Sequence, residues 1–156
     1  MPLCKLADLP RLLPPGGRLM GLDFGTKTIG VAVSDAALRV ASPVTIIRRR
    51  KFSADAAEIA ELVESRNIGG FVVGLPLNMD GTEGKRVQAT RDLTTELLLR
   101  LDLPCAFQDE RMSTQAVERA MIAEADLTRA KRKKSIDSAA AAWILQAALD
   151  SLPSPD

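Results

Sequence analysis

Apolar positions along the chain follow strand spacing first and then alternate between helix and strand spacing. Residues 18–24, 28–34 and 40–47 are short β-prone runs separated by Gly25-Thr26-Lys27 and Asp35-Ala36-Ala37, which predicts an antiparallel three-strand meander. Ala54, Ala57, Ile59, Ala60, Leu62 and Val63 then recur at helical intervals, with Ser53 as the expected N-cap and an end near Asn67 to Gly70. Residues 70–75, Gly-Phe-Val-Val-Gly-Leu, form a continuous apolar run of the kind buried on both faces of a sheet. Helical spacing returns over 83–101, a short strand is expected over 103–108, and Ser113 and Thr114 open a helix over 113–123. Residues 124–134 are polar and basic and read as a mobile loop. An alanine-rich last helix over 135–149 is expected to bury Ile136, Ala140, Trp143, Ile144 and Ala147.

The order β-β-β-α-β-α-β-α-α predicts an α/β fold. A mixed sheet would hold the meander and then two parallel strands, placed beside the first strand by right-handed crossovers, with helices on both faces. Residues 1–17 end in Pro14-Pro15-Gly16-Gly17, which breaks both helix and strand. They read as an extension ahead of a domain spanning 18–150, with 151–156 as a tail.

Composition narrows the chemistry. At 156 residues, with 46% hydrophobic and 26% charged, the chain has the size and make-up of one folded domain. No apolar stretch approaches a membrane span and the start carries no secretory pattern, so a cytoplasmic location is expected and a membrane partner is not. Cys4 and Cys105 have no metal-site spacing and are expected to be reduced. The chain contains no histidine, which excludes a histidine base, a histidine ligand and any serine–histidine arrangement. Tyrosine is absent too, and with Phe24, Phe52, Phe71, Phe107 and Trp143 as the only aromatics, a stacking platform for bases is hard to build. The formal charge is only +1, yet Arg48-Arg49-Arg50-Lys51 and Arg129 with residues 131–134 form two basic runs. Either run alone reads equally as a solvated loop; together they favour a nucleic-acid surface.

Three acidic positions stand out. Asp23 interrupts an apolar strand between glycines, where it could cap the following turn or hold a hard cation. Glu110, in Asp109-Glu110-Arg111, follows a predicted strand, at the carboxyl end where ligands of open α/β sheets gather, or it pairs with Arg111. Asp137 lies in the first turn of the predicted last helix, where it complements the helix dipole or meets a metal beside the basic run. Taken together, three carboxylates without histidine or paired cysteines form an all-oxygen donor set suited to Mg²⁺ or Mn²⁺. Two such ions could hydrolyse a phosphodiester without any histidine. Residues 74–82 form a tight loop into the next helix, whose backbone N–H groups, with Lys85 and Arg86, could bind phosphate. The loop is not a P-loop. The candidate substrate contacts are Lys27, Asn78, Lys85, Arg86, Arg111, Lys133 and Lys134.

Four ordered segments carry a resemblance: residues 21–35 around Asp23-Phe24-Gly25-Thr26-Lys27, residues 73–81 around Gly74-Leu75-Pro76-Leu77-Asn78, Asp109-Glu110-Arg111-Met112-Ser113-Thr114, and residues 133–140 around Ser135-Ile136-Asp137. They are similar to the YqgF/RuvX family of pre-16S rRNA nucleases, which resembles the Holliday-junction resolvase RuvC. The resemblance implies a ribonuclease H-like fold and Asp23, Glu110 and Asp137 as the acidic triad. It also implies maturation of the 5′ end of 16S rRNA as the role, with an rRNA precursor as partner. Thr28 stands where the family usually has arginine, which could weaken a phosphate contact, and Met112 where leucine is common. Neither change removes a carboxylate. The rival readings are a resolvase acting on branched DNA, with identical chemistry, and a non-catalytic RNA- or ribosome-binding module. An ATP-binding reading, from the likeness of Asp23-Phe24-Gly25-Thr26 to a phosphate loop of actin-like ATPases, lacks room for the second domain such proteins close over nucleotide.

Overall fold

The computed structural model describes residues 3–78, 80–110 and 129–152, with side chains left out for 129–138. Five strands form one sheet in the order β3-β2-β1-β4-β5. These are β1 (Arg18–Phe24), β2 (Thr28–Ser34), β3 (Ala41–Arg48), β4 (Ile68–Leu75) and β5 (Cys105–Asp109). β1, β2 and β3 pair antiparallel, and β4 and β5 add in parallel beside β1, as the sequence predicts. β4 is buried along its whole length, which explains why its sequence is a continuous apolar run rather than an alternation.

Helices cover both faces. α2 (Phe52–Ser65) and α3 (Lys85–Arg100) lie on one side, α4 (Arg129–Asp150) on the other. Side-chain alternation assigns β1 residues to the two layers: Met20, Leu22 and Phe24 enter the α2/α3 core, while Leu19 joins Ala32, Val72 and Ala106 under Ala141, Ile144, Leu145 and Ala148 of α4. The contact with α4 is close because the sheet offers glycine there. A Cβ on Gly21 would stand 2.8 Å from Leu145 Cβ and 3.0 Å from the Ala141 carbonyl oxygen, so no side chain fits between strand and helix.

Three expectations need correction. Ser53 is not the N-cap of α2; the helix starts at Phe52, and the fully buried Asp55 carboxylate accepts the Arg50 backbone N–H at 3.2 Å instead. Residues 129–134 are not a loop but the first turns of α4. Trp143 is 42% exposed, because the face of α4 that meets the sheet is that of Ala141, Ile144, Leu145 and Ala148. Ahead of the break at Pro14-Pro15-Gly16-Gly17, the opening forms a 3₁₀ turn (Leu6–Asp8) and α1 (Leu9–Leu12) with Pro10 in its first turn, where the missing N–H costs nothing. Leu9 is completely buried, Cys4 N–H donates to the Cys105 carbonyl at 2.9 Å, and Leu13 and Pro14 pack on Gly69. The expected helix over 113–123 lies outside the described residues.

Candidate active site

Strand alternation places Asp23 on the α4 face of β1, at the carboxyl end of the strand. Parallel pairing carries that end across β4 and β5: Leu22 pairs with Val73 and Gly74 with Gln108, so Asp23, Gly74 and Glu110 come together at one edge on one face. Glu110 follows β5 directly, and its backbone N–H donates to the Leu75 carbonyl at 3.2 Å.

Gly74 lets the carboxylate lie flat against the sheet. A Cβ there would stand 2.6 Å from Glu110 Oε2 and 2.7 Å from Ile144 Cδ1. Any side chain at position 74 would therefore displace the acid or the helix above it. In sequence this glycine reads as loop punctuation. Its role in close approach was visible only as an alternation signal, since it shares the strand face of Asp23.

The two acids interact directly. Burial pushes the Glu110 carboxyl up to about 7, and the negative charge of Asp23 adds to this. The Arg86 guanidinium pulls the other way, while a hydrogen bond shared with the Asp23 side chain and the charge of Asp109 raise it further. Two carboxylates forced this close hold a proton between them or favour a cation, since neither can ionise cheaply beside the other.

Asp137 belongs to α4, one helical turn before Ala141 and two before Ile144, the residue that touches Gly74; its side chain lies outside the described residues. Lys133 and Lys134 are in the same helix with side chains likewise outside, and Arg111 is outside altogether. No group of three metal-binding side chains is complete among the described residues.

The other candidates divide. Lys85 and Arg86 are exposed in the first turn of α3, and the Gly84 N-cap makes no side-chain cap bond. Asn78 works inside its loop: its amide donates to Thr82 Oγ1 at 3.0 Å and its N–H to the Thr82 carbonyl at 2.9 Å, around Gly81 at φ 88°. Lys27 is exposed in the turn after Asp23. Arg49, which sequence reading treats only as part of a basic run, braces that turn. Its guanidinium donates to the Gly25 carbonyl at 2.8 Å, and its backbone N–H donates to the Lys27 carbonyl at 2.9 Å.

Residues 17–151 match the RuvX family, described as Holliday junction resolvase. The chain belongs to the RuvX family. It is 58% identical to a protein of Phenylobacterium zucineum over 97% of this chain and 98% of that one. It is 52% identical to one of Rhodospirillum rubrum over 97% and 94%. Both RuvX relatives are provisionally named pre-16S rRNA nuclease. The structure is like that of T. thermophilus RuvC solved with a Holliday junction substrate, with TM-score 0.55 and 14% identity over 87% of this chain and 98% of that one. The sheet order and this likeness make the RuvX-family fold ribonuclease H-like, as the resemblance implied.

Proposed function

We propose that the protein is a divalent-metal-dependent endonuclease of the cytoplasm that matures the 5′ end of pre-16S rRNA in ribosome biogenesis, with Asp23, Glu110 and Asp137 holding Mg²⁺ or Mn²⁺. The observation that carries this reading is the pairing of Asp23 with Glu110 over Gly74, two half-buried acids in contact at the carboxyl edge of the sheet. Such a pair fits a hard cation, whose positive charge would relieve both the burial and the mutual repulsion. Family membership and the names of close relatives support nuclease chemistry and the RNA substrate.

A cation held there supplies the Lewis acid for phosphodiester hydrolysis. The protein's own part is positional. β1 fixes Asp23, the Leu75 carbonyl anchors the backbone of Glu110, and the missing side chain of Gly74 leaves Glu110 room to lie along the strand. Arg86, close enough to draw the Glu110 carboxyl down, and Lys85 beside it would attract the phosphate that approaches the acids. The Asn78 loop sets the start of α3 that presents both. Arg111, Lys133 and Lys134 complete the proposed substrate contacts.

The test is cleavage of a 5′-extended 16S RNA fragment, and in parallel of a four-way DNA junction, with Mg²⁺, Mn²⁺ or a chelator. We expect RNA cleavage with either ion and none in chelator. Asp23→Asn should lower the rate by more than the roughly 10–100-fold that follows loss of an outer-shell partner. Unchanged cleavage by that variant would sink the assignment. Cutting of the junction alone would make the protein a resolvase, and RNA binding without cleavage would make it a binding module.

A further inference from the structure

The basic run Arg48-Arg49-Arg50-Lys51 divides in the fold. Arg49 is turned inward onto the carbonyls of Gly25 and Thr26, at 2.8 and 3.5 Å. Arg50 pairs with Glu58 at 2.8 Å and lies 3.8 Å from Asp55. Arg48 and Lys51 are exposed, as is Lys27, and among the described residues none of the three forms an ion pair. Among the described residues, one arginine of the run is thus neutralised by acids and three neighbouring cations carry no ion pair.

Their position follows from the register. β2 starts and β3 ends at the edge of the sheet where β1 ends. Gly30 pairs with Asp23 on one side and Ile46 on the other, and Thr28 pairs with Arg48. Arg48 is therefore on the sheet face of Asp23, two strands away and one pleat further toward the open edge. With strands ~4.8 Å apart, that is roughly 10 Å across the sheet from Asp23. Lys27 occupies the intervening turn, and Lys51 follows β3 at the same end. On the other side of the acids stand Lys85 and Arg86, after β4.

We infer that Lys27, Arg48 and Lys51 form a phosphate-binding flank that holds the RNA strand on the β3 side of the Asp23–Glu110 pair. The inference takes the identity of the polyanion from the nuclease reading. The chemistry recognised is the phosphodiester backbone: exposed cations release counterions on binding it and read no base. With a formal charge of only +1 on the whole chain, affinity depends on local groups such as these. A strand seated on both flanks crosses the acids and presents a phosphate to them.

The experiment is fluorescence anisotropy of a labelled, 5′-extended 16S RNA fragment in chelator, over about 50 to 200 mM salt. For Arg48→Ala/Lys51→Ala the slope of log affinity against log salt should fall by about 1.4, two single-strand contacts at ~0.7 each, with roughly tenfold weaker binding at the low-salt end. Arg48→Lys/Lys51→Arg should keep the wild-type slope. Lys27→Ala, a change confined to an exposed turn, should lower it by about 0.7 and gives a separate reading if the double variant folds poorly. Wild-type slope and affinity in both alanine proteins would overturn the flank. Because binding is read without divalent ions, a failure of wild-type cleavage would overturn the nuclease reading and not this one.

Discussion

At the scale of single residues, the Glu110 carboxyl governs how the site responds to pH. Burial and the charge of Asp23 hold it at about 7 against an ordinary 4.5, so the folded protein binds this proton more tightly than the unfolded chain does. A raised carboxyl contributes stability that is fully present below the unfolded value and is lost as pH rises through the folded one. In chelator, the wild type should therefore lose stability relative to Glu110→Gln between pH 4.5 and 7. Urea unfolding of both proteins at the two ends of that window checks this, and parallel pH profiles would contradict it. The acids themselves were legible in sequence because aspartate is misplaced in an apolar strand and an acid follows a strand end. Their contact was not, since it depends on the pairing of β1, β4 and β5, strands far apart along the chain.

At the scale of elements, α4 sits close on the sheet because the strands offer glycine beneath it. Gly21 meets Leu145 Cβ and the Ala141 carbonyl oxygen, and Gly74 meets Ile144 and Glu110. The obstacle at Gly21 includes helix backbone, which cannot rotate away. Gly21→Val should thus lift α4, at a cost of about 1–3 kcal/mol for overpacking, and reduce cleavage more than its loss of stability explains because position 137 moves with the helix. Denaturant titration and single-turnover rates on the same sample test the two parts. Strand and helix types were readable from periodicity, including the meander and the buried β4. The start of α2 and the extent of α4 were not. A buried Asp55 reaching back to Arg50 replaces the expected serine cap, and the basic stretch before Ser135, polar enough to read as loop, continues a helix.

At the scale of the whole molecule, the N-terminal segment is part of the α4-side core rather than a lead-in. Leu9 is fully buried among Leu19, Val72, Ala106 and Leu149, and the segment pairs with β5 through Leu3 and Cys105. Leu9→Ala should cost about 2–5 kcal/mol, read as a lower urea midpoint with an unchanged slope; a midpoint equal to wild type would show that the segment detaches in solution. Proline content concealed this, because Pro10 falls at a helix start where proline is tolerated. No helix among the described residues is long and apolar enough to cross a membrane.

Local properties were legible in the sequence alone: the strand order of the meander, the absence of histidine, and the acids that stand at strand ends. These depend on residue type and short-range spacing, which the chain carries openly. The tertiary structure decided which groups share a face and an edge. It set Asp23 against Glu110 over Gly74, turned Arg49 inward while leaving Arg48 and Lys51 outward, and packed Leu9 into the core. Each of those outcomes rests on strand register or helix docking between distant segments, where a shift of one residue exchanges the two faces of the sheet.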